Sequence, residues 1–141
     1  MKTIFLSLVG LAIVTMAVVE VQHVRGGKKV DQRVFEIRTY YAQPGKMKEL
    51  HARFRDHTVK LFEKHGMTNV GYWSPADDKG AEEKMIYILA YPSKEAADAS
   101  WKGFRSDPAW IAARDASEKN DKLILKIESV YLNPTDYSPM K

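Results

Sequence analysis

The chain has 141 residues, of which 45% are hydrophobic and 28% are charged, and its formal net charge is +4. These proportions are typical of one globular domain, and the lack of cysteine excludes disulfides, thiolate metal sites and a cysteine nucleophile. The four histidines form no metal-binding motif with the acidic residues, so we predict no metal site and no cofactor. The basic residues are interleaved with acids, which predicts no nucleic-acid partner.

Residues 1–17 have the pattern of a secretory signal peptide. Lys2 precedes an apolar run from Ile4 to Val19, which is shorter than the about 20 residues that a membrane span needs. We therefore predict cleavage after Ala17 and a secreted or periplasmic protein with no stable membrane span; the alternative is an uncleaved N-terminal anchor. Residues 18–33 are polar and include a Gly-Gly pair, which predicts a linker before a domain at 34–137.

The domain begins with a predicted strand and a predicted amphipathic helix. Residues 34–41 (VFEIRTYY) alternate in character and are rich in aromatic and β-branched residues, as a strand requires, and Pro44-Gly45 ends the strand. From Lys46 to about His65 apolar residues recur at helical spacing, with Arg53 on the opposite, polar face. Gly66 is placed to end this helix in a left-handed conformation. The predicted apolar stripe contains Met47, Leu50, Phe54, Thr58, Leu61 and His65, with Phe62, His51 and His57 on its flanks.

The second half of the domain predicts three strands and a pair of helices. The run KMIYILAY is apolar almost throughout, which is typical of a central strand buried on both faces. Ser93 and Asp107 are predicted helix N-caps, and Pro108 suits the first helical position after Asp107. In chain order we predict a strand at 69–74, a charged loop at 75–80, a strand at 84–91, helices after Ser93 and Asp107, a strand at 123–132 and a tail at 138–141.

This order of elements predicts an α+β fold of the ferredoxin-like βαββαβ type. Two strand–helix–strand units share one sheet and place their helices on one face. The strands nevertheless supply aliphatic and aromatic residues to both faces, and an exposed apolar surface of that size usually marks an interface. We therefore predict a homodimer, a dimeric α/β barrel in which a second copy covers the bare face.

Five short motifs follow one another along the domain: FEIRTYYAQPGK, HGMTNVGYW, ILAYPSKEAA, SDPAW and PTDYSP. In this order and spacing they resemble the NIPSNAP family, over a span from about Val34 to Tyr137. The resemblance implies a ferredoxin-like domain that forms a dimeric α+β barrel. The wider superfamily includes cofactor-independent monooxygenases, haem-degrading enzymes and binding proteins, so the resemblance does not by itself fix an activity.

Arg38 is the first candidate binding residue, because an arginine in mid-strand needs a partner if it is buried. One interpretation pairs it with Glu36 or Glu128 across the dimer interface. The other places a ligand carboxylate on Arg38, with Tyr40, Tyr72 and Trp73 against the organic part of the ligand. A side chain on the flank of the helical stripe, His57, is a weak candidate for a catalytic base or a ligand donor.

We therefore predict an exported protein that binds a small aromatic or anionic ligand in the cleft between sheet and helices. Two alternatives stay open at this point: a cofactor-independent monooxygenase or haem-related enzyme, and a non-enzymatic protein-interaction module. The sequence contains no phosphate-binding glycine loop, no G-x-S-x-G motif and no diagnostic carboxylate pair that would name a reaction.

Overall fold

The computed structural model of the protein describes residues 33–141. The predicted signal peptide (1–17) and all but the last residue of the predicted linker (18–33) lie outside the described residues. Within the described part of the chain, no helix is long and apolar enough to cross a membrane.

Four antiparallel strands form one sheet in the order β2-β3-β1-β4. In the two central strands Ile37 lies opposite Ile88, and the edge strand β4 brings Val130 beside Ile37. This order confirms the predicted ferredoxin-like α+β fold, with the nearly apolar KMIYILAY segment in an interior position of the sheet. The strands are β1 (Val34–Ala42), β2 (Thr68–Trp73), β3 (Lys84–Tyr91) and β4 (Ile124–Leu132).

Helices connect the strands, and their ends follow local sequence signals. The Ser93 hydroxyl accepts a hydrogen bond from the Ala96 N–H at 3.1 Å, and the Asp107 carboxylate accepts one from the Ala109 N–H at 2.8 Å. Both predicted N-caps are thus confirmed. The helices are α1 (Met47–Arg53), a π-helical turn (Phe54–Thr58), α2 (Val59–Lys64), α3 (Asp78–Glu83), α4 (Lys94–Ser106) and α5 (Pro108–Ser117).

Two glycines adopt the left-handed conformation that their positions require. Gly45 has φ +72° in the turn where the Lys46 N–H donates to the Gln43 carbonyl at 2.9 Å. Gly66 has φ +77°, and the N–H of Met67 donates back to a carbonyl in the last turn of α2 at 3.0 Å. Gly66 therefore ends the helix as predicted, in the arrangement known as a Schellman motif.

The first long helix departs from the predicted regular pattern because of its π-helical turn. One extra residue in a turn displaces every later residue by about 100° around the helix axis. Phe62, predicted on the flank, therefore lies in the centre of the packed face at 1% exposure, whereas Leu61 is only partly buried. Arg53, predicted on the polar face, is 3% exposed. The prediction for Arg53 was wrong because α1 packs against α5 as well as the sheet, so it buries a wider arc than periodicity indicates.

The predicted loop at 75–80 contains the start of a short helix, α3. Asp77 caps this helix by accepting a hydrogen bond from the Gly80 N–H at 2.7 Å. The sequence carries an Asp at the N-cap position, but a Gly in the first turn and only six helical residues give little periodic signal.

The core lies between the helices and one face of the sheet, where aromatic rings meet edge to face. The Tyr87 ring is fully buried and lies 5.3 Å from the rings of both Tyr40 and Phe54. The opposite face of the sheet, which we call the open face, carries no helix of the described residues. Trp73 is 50% exposed there and Val130 56% exposed, and residues 133–140 run along one end of this face beside Phe35.

Candidate functional site

A cleft of about 320 Å³ lies between helices α4 and α5 and the β1–β4 side of the sheet. Four arginines line it, two on its floor and two at its rim, and we call it the arginine cleft. The remaining lining residues are aromatic, aliphatic or acidic. The complete lining is Arg38, Tyr40, Arg53, Trp101, Phe104, Arg105, Trp110, Arg114, Glu118, Ile124 and Ile127.

A fully buried carboxylate, Glu36, anchors the first floor arginine. Arg38 Nη1 donates to Glu36 Oε1 at 2.6 Å, so the ion pair forms within one subunit. Three further donors reach the same carboxylate, from Tyr91, Trp101 and Ser129, at 2.6–2.7 Å. Burial raises the pKa of Glu36, but the four hydrogen bonds outweigh burial and the net pKa is lowered. Glu36 is therefore ionised at neutral pH and balances the charge of Arg38.

The Arg38 guanidinium is held against an aromatic ring. Its Cζ lies 4.3 Å from the centroid of the Trp101 ring, whose own N–H donates to Glu36. Stacking on the indole and the hydrogen bond from Nη1 together fix the plane of the guanidinium. Arg38 Nε is buried and has no hydrogen-bond partner among the described residues, and only Nη1 makes a hydrogen bond.

Arg53, the second floor arginine, repeats this arrangement from the other side. It ends α1, and its Nη1 donates to Glu118 Oε1 at 2.8 Å and to Ser117 Oγ at 3.2 Å. Its Cζ lies 5.2 Å from the centroid of the Trp110 ring. As in Arg38, Nε is buried without a partner among residues 33–141. Each floor arginine is thus neutralised by a carboxylate yet keeps N–H groups without acceptors.

The rim arginines, Arg105 and Arg114, are both exposed. Arg114 donates to Asp115 through Nε and Nη2, at 2.9 and 2.8 Å. Arg105 has no ion-pair partner within the described residues. The cleft therefore presents a positive surface, and an anion is the ligand that its electrostatics favour.

The predicted binding residues are only partly brought together. Tyr40 lines the arginine cleft beside Arg38, with its ring centroid 5.6 Å from Arg38 Cζ. Tyr72 is on the same face of the sheet but lies deeper in the core, stacked on Tyr87 at 5.4 Å. Trp73 lies on the open face, because neighbouring residues in a strand point to opposite sides. A cleft that holds Arg38, Tyr72 and Trp73 together is therefore not formed.

The histidines of the first helix lie outside the arginine cleft. His57 is exposed in a shallow groove between α1 and α5, together with Glu49 and Asp56. The Nε2 of His65 lies 2.7 Å from Asp107 Oδ2, so this side chain joins the end of α2 to the start of α5. Lys64 also donates to Asp107. The hydrogen bonds from Lys64, His65 and the Ala109 N–H together hold the pKa of Asp107 well below its usual range.

Sequence reasoning missed Arg53 and the rim arginines as cleft residues. Arg53 is three residues after Leu50 and adjacent to Phe54, so it borders the apolar stripe. This position at the border of the stripe was the signal in the sequence that Arg53 becomes buried if a second helix packs beside α1. Trp101 and Trp110 pack in and against the core, and nothing in the local sequence showed that they would also present ring faces to two arginines. Among residues 33–141, no group of three or more His, Asp or Glu residues is arranged to hold a metal ion.

The family model for NIPSNAP matches residues 35–139. No curated protein sequence matches the chain at a significant level.

Solved structures of bacterial proteins share the fold. A NIPSNAP family protein from Agrobacterium tumefaciens is 25% identical over 77% of this chain and 99% of its own, with a TM-score of 0.66. A second one from the same organism, of unknown function, is 21% identical over 79% and 96%, with a TM-score of 0.67. A monooxygenase from Streptomyces coelicolor, in complex with the ligand nanaomycin D, is 13% identical over 79% and 95%, with a TM-score of 0.55.

Proposed function

The chain belongs to the NIPSNAP family, and from that premise we propose that it binds a small organic anion in the arginine cleft. One observation carries the proposal: two largely buried arginines line the same cleft, and each has an unpaired N–H. Arginine presents five N–H donors in a planar fork that matches the oxygens of a carboxylate. Arg38 and Arg53 each use only Nη1 for hydrogen bonds within residues 33–141.

The unpaired donors carry a free-energy cost that a ligand can recover. A buried N–H without an acceptor costs about 1–3 kcal/mol relative to one that is hydrogen-bonded. Because water does not reach either Nε, an oxyanion that engages these donors must displace a neighbouring side chain. The rim arginines are exposed, so their movement costs little packing.

The size and the walls of the cleft support an organic ligand. Pockets for small molecules start at about 300 Å³ and are mostly apolar with a few polar groups. At about 320 Å³ the cleft has room for one substituted ring, and Phe104, Ile124 and Ile127 supply an apolar wall. The Streptomyces monooxygenase shows that a protein of the same fold holds a small molecule.

Calorimetric titration with benzoate and its neutral isostere benzamide tests the proposal. We expect benzoate to bind the wild type at least about tenfold more tightly than benzamide, because only benzoate supplies an oxyanion. Arg38→Lys keeps the charge beside Glu36 but removes the fork, and it should weaken benzoate binding by about tenfold. Arg55→Lys is the matched control, because Arg55 is an exposed arginine that does not line the cleft.

Two results of this titration would contradict anion binding in the cleft. Equal affinity for benzoate and benzamide would show that the negative charge of the ligand does not contribute to binding. Equal benzoate affinity of Arg38→Lys and Arg55→Lys would place the anion elsewhere. Circular dichroism of each variant confirms that a loss of binding is not a loss of fold.

The second part of the proposal is that two copies assemble through their open faces. The four strands have 9, 6, 8 and 9 residues and together cover about 500 Å², so two stacked faces reach the about 1,000 Å² that a specific interface needs. Trp73, Val130 and Leu132 are 50%, 56% and 40% exposed there. A second copy offers a surface of the same apolar character in the same shape, as a two-fold interface requires.

Light scattering coupled to gel filtration tests the homodimer. Val130→Glu places a charge on the open face and is expected to yield monomers at micromolar concentration. Ile111→Glu is the matched control, because Ile111 is an exposed apolar residue on α5. A monomeric wild type, or a dimer that both variants retain, would contradict this interface.

The third part of the proposal places the domain outside the cytoplasm, after removal of residues 1–17. The short apolar run after Lys2 supports export. Mass spectrometry of the mature protein from the secreted or periplasmic fraction should find a chain that begins at Val18. Full-length protein in the cytoplasmic fraction alone would refute export.

A further inference from the structure

The two ends of the arginine cleft differ in charge. At the α5 end, Arg53 is paired with Glu118 and the rim residue Arg114 with Asp115, so the charges there balance. This end has no surplus charge for a ligand to neutralise. It does have the unpaired Nε of Arg53, which needs a hydrogen-bond acceptor.

At the α4 end, one positive charge is left over. Arg38 is neutralised by Glu36, but Arg105 has no acidic partner in the described part of the chain. Arg105 is four residues after Trp101 on α4, which places both on one side of the helix, and Trp101 lies against Arg38. The surplus charge therefore lies at the end of the cleft that also holds the unpaired Nε of Arg38.

From this asymmetry we infer that the ligand is a flat monocarboxylate with a neutral carbonyl or hydroxyl oxygen at its far end, as in aromatic keto and hydroxy acids. The carboxylate lies between Arg38 and Arg105, and the neutral oxygen accepts from Arg53. This inference rests on the proposed function, since it divides the roles of the two floor arginines in that same cleft.

Three aromatic rings line the cleft between its two ends, and they favour a ligand whose central part is flat and apolar. Phe104 lies between the two tryptophans, with its centroid 5.6 Å from Trp101 and 4.5 Å from Trp110. The sheet closes the other side of the cleft with Ile124 and Ile127. A second carboxylate at the far end would lie beside Glu118, and like charges at short range repel.

Three probes of nearly equal shape separate the possibilities: 4-acetylbenzoate, 4-isopropylbenzoate and terephthalate. All three have a carboxylate at one end of a benzene ring. At the other end 4-acetylbenzoate has a neutral hydrogen-bond acceptor, 4-isopropylbenzoate an apolar group and terephthalate a second carboxylate. At pH 7.5 we expect 4-acetylbenzoate to bind about tenfold more tightly than 4-isopropylbenzoate, which leaves the Arg53 donor unpaired. Terephthalate should bind no more tightly than 4-acetylbenzoate.

The matched variants Arg105→Gln and Arg114→Gln test the placement of the carboxylate. Both residues are exposed rim arginines of the same cleft, so neither change is expected to disturb the core. Arg105→Gln should weaken 4-acetylbenzoate binding by about threefold, and by more than Arg114→Gln does, because Arg114 is already paired with Asp115. Arg55→Gln, at an exposed arginine outside the cleft, should leave binding within the error of the titration. Equal effects of the two rim variants would overturn the placement of the carboxylate at the α4 end.

The outcomes distinguish this inference from the proposed function. If 4-acetylbenzoate and 4-isopropylbenzoate bind within threefold of each other, or if terephthalate binds most tightly, the neutral-acceptor inference is overturned while anion binding stands. If none of the three probes nor benzoate binds, both are overturned.

Discussion

Replacement of Glu36 by Gln removes the charge that balances Arg38 without changing the shape of the side chain. The carboxylate is fully buried and accepts four hydrogen bonds, whereas a Gln amide has one oxygen to accept them and presents N–H groups to the remaining donors. Arg38 is then left as a largely buried charge without a counter-ion. Loss of one partner from a buried ion pair costs about 3–5 kcal/mol.

For a domain of about 100 residues, this cost corresponds to a fall in Tm of roughly 12–20 °C, at about 4 °C per kcal/mol. Urea and thermal unfolding followed by circular dichroism measure it. Glu83→Gln is the matched control: Glu83 is on α3 and pairs with Lys79 on an exposed surface, so its replacement should change stability by less than about 0.5 kcal/mol.

The pH dependence of the same variant gives a second, independent measurement. The pKa of Glu36 is lowered in the folded protein from an ordinary value of 4.5. A lowered folded-state pKa contributes stability that is fully present above the unfolded-state pKa and is lost as pH falls through the folded-state pKa. The difference between wild type and Glu36→Gln should therefore be constant from pH 6 to 8, within about 0.5 kcal/mol, and shrink below about pH 4.5.

Two results would refute the role of Glu36 in the buried network. If Glu36→Gln unfolds within about 1 kcal/mol of the wild type at pH 7, as the surface control should, Glu36 does not act as the counter-ion of Arg38. A difference that grows as pH falls would also refute it, because that is the sign expected for a raised pKa.

Three further predictions follow from the helix ends and the positions of the histidines. Gly66→Ala should destabilise the fold by about 1 kcal/mol in urea unfolding, because Gly66 has φ +77°, where an alanine backbone is strained. The site has room for the methyl group, so backbone strain is the whole expected cost, and an unchanged midpoint would contradict it. Ser93→Ala should cost about 1 kcal/mol through loss of the α4 N-cap, and Ser93→Asp should restore most of it; equal midpoints for all three proteins would show that the cap contributes nothing. Titration with haemin should give no one-to-one shift of the haem absorbance band, since the histidines of residues 33–141 do not line the arginine cleft, and a saturable shift would contradict that expectation.

The sequence was sufficient for the order of the elements apart from the short helix α3, and for most of their ends. Alternation and helical spacing are local properties of the chain, and caps such as Ser93 and Asp107 act on groups two or three residues away. Strand β3 has the predicted bounds, and the predicted left-handed end of the first long helix at Gly66 is confirmed. The order of the elements indicated that the helices cover one face of the sheet, and the apolar residues on both faces of the strands indicated that the bare face is apolar.

The candidate site was predicted only in part, because its residues are distant in sequence. Arg38 and Tyr40 are two residues apart on one strand, so their shared face follows from the strand period. The partners that make the cleft, Arg53 with Glu118 and Arg38 with Trp101, are separated by 65 and 63 residues. No local pattern reports such contacts.

The sequence by itself thus determined the fold and placed Arg38 and Tyr40 on the same face of their strand, since both depend on interactions within a few residues. Only the tertiary structure decided that Arg53 is buried, that Trp73 lies on the opposite face from Arg38, and that two arginines meet in one cleft. The physical reason is that the burial of a side chain depends on which elements pack against it. Here the α1–α5 contact and the π-helical turn determine which side chains of the first long helix point inward.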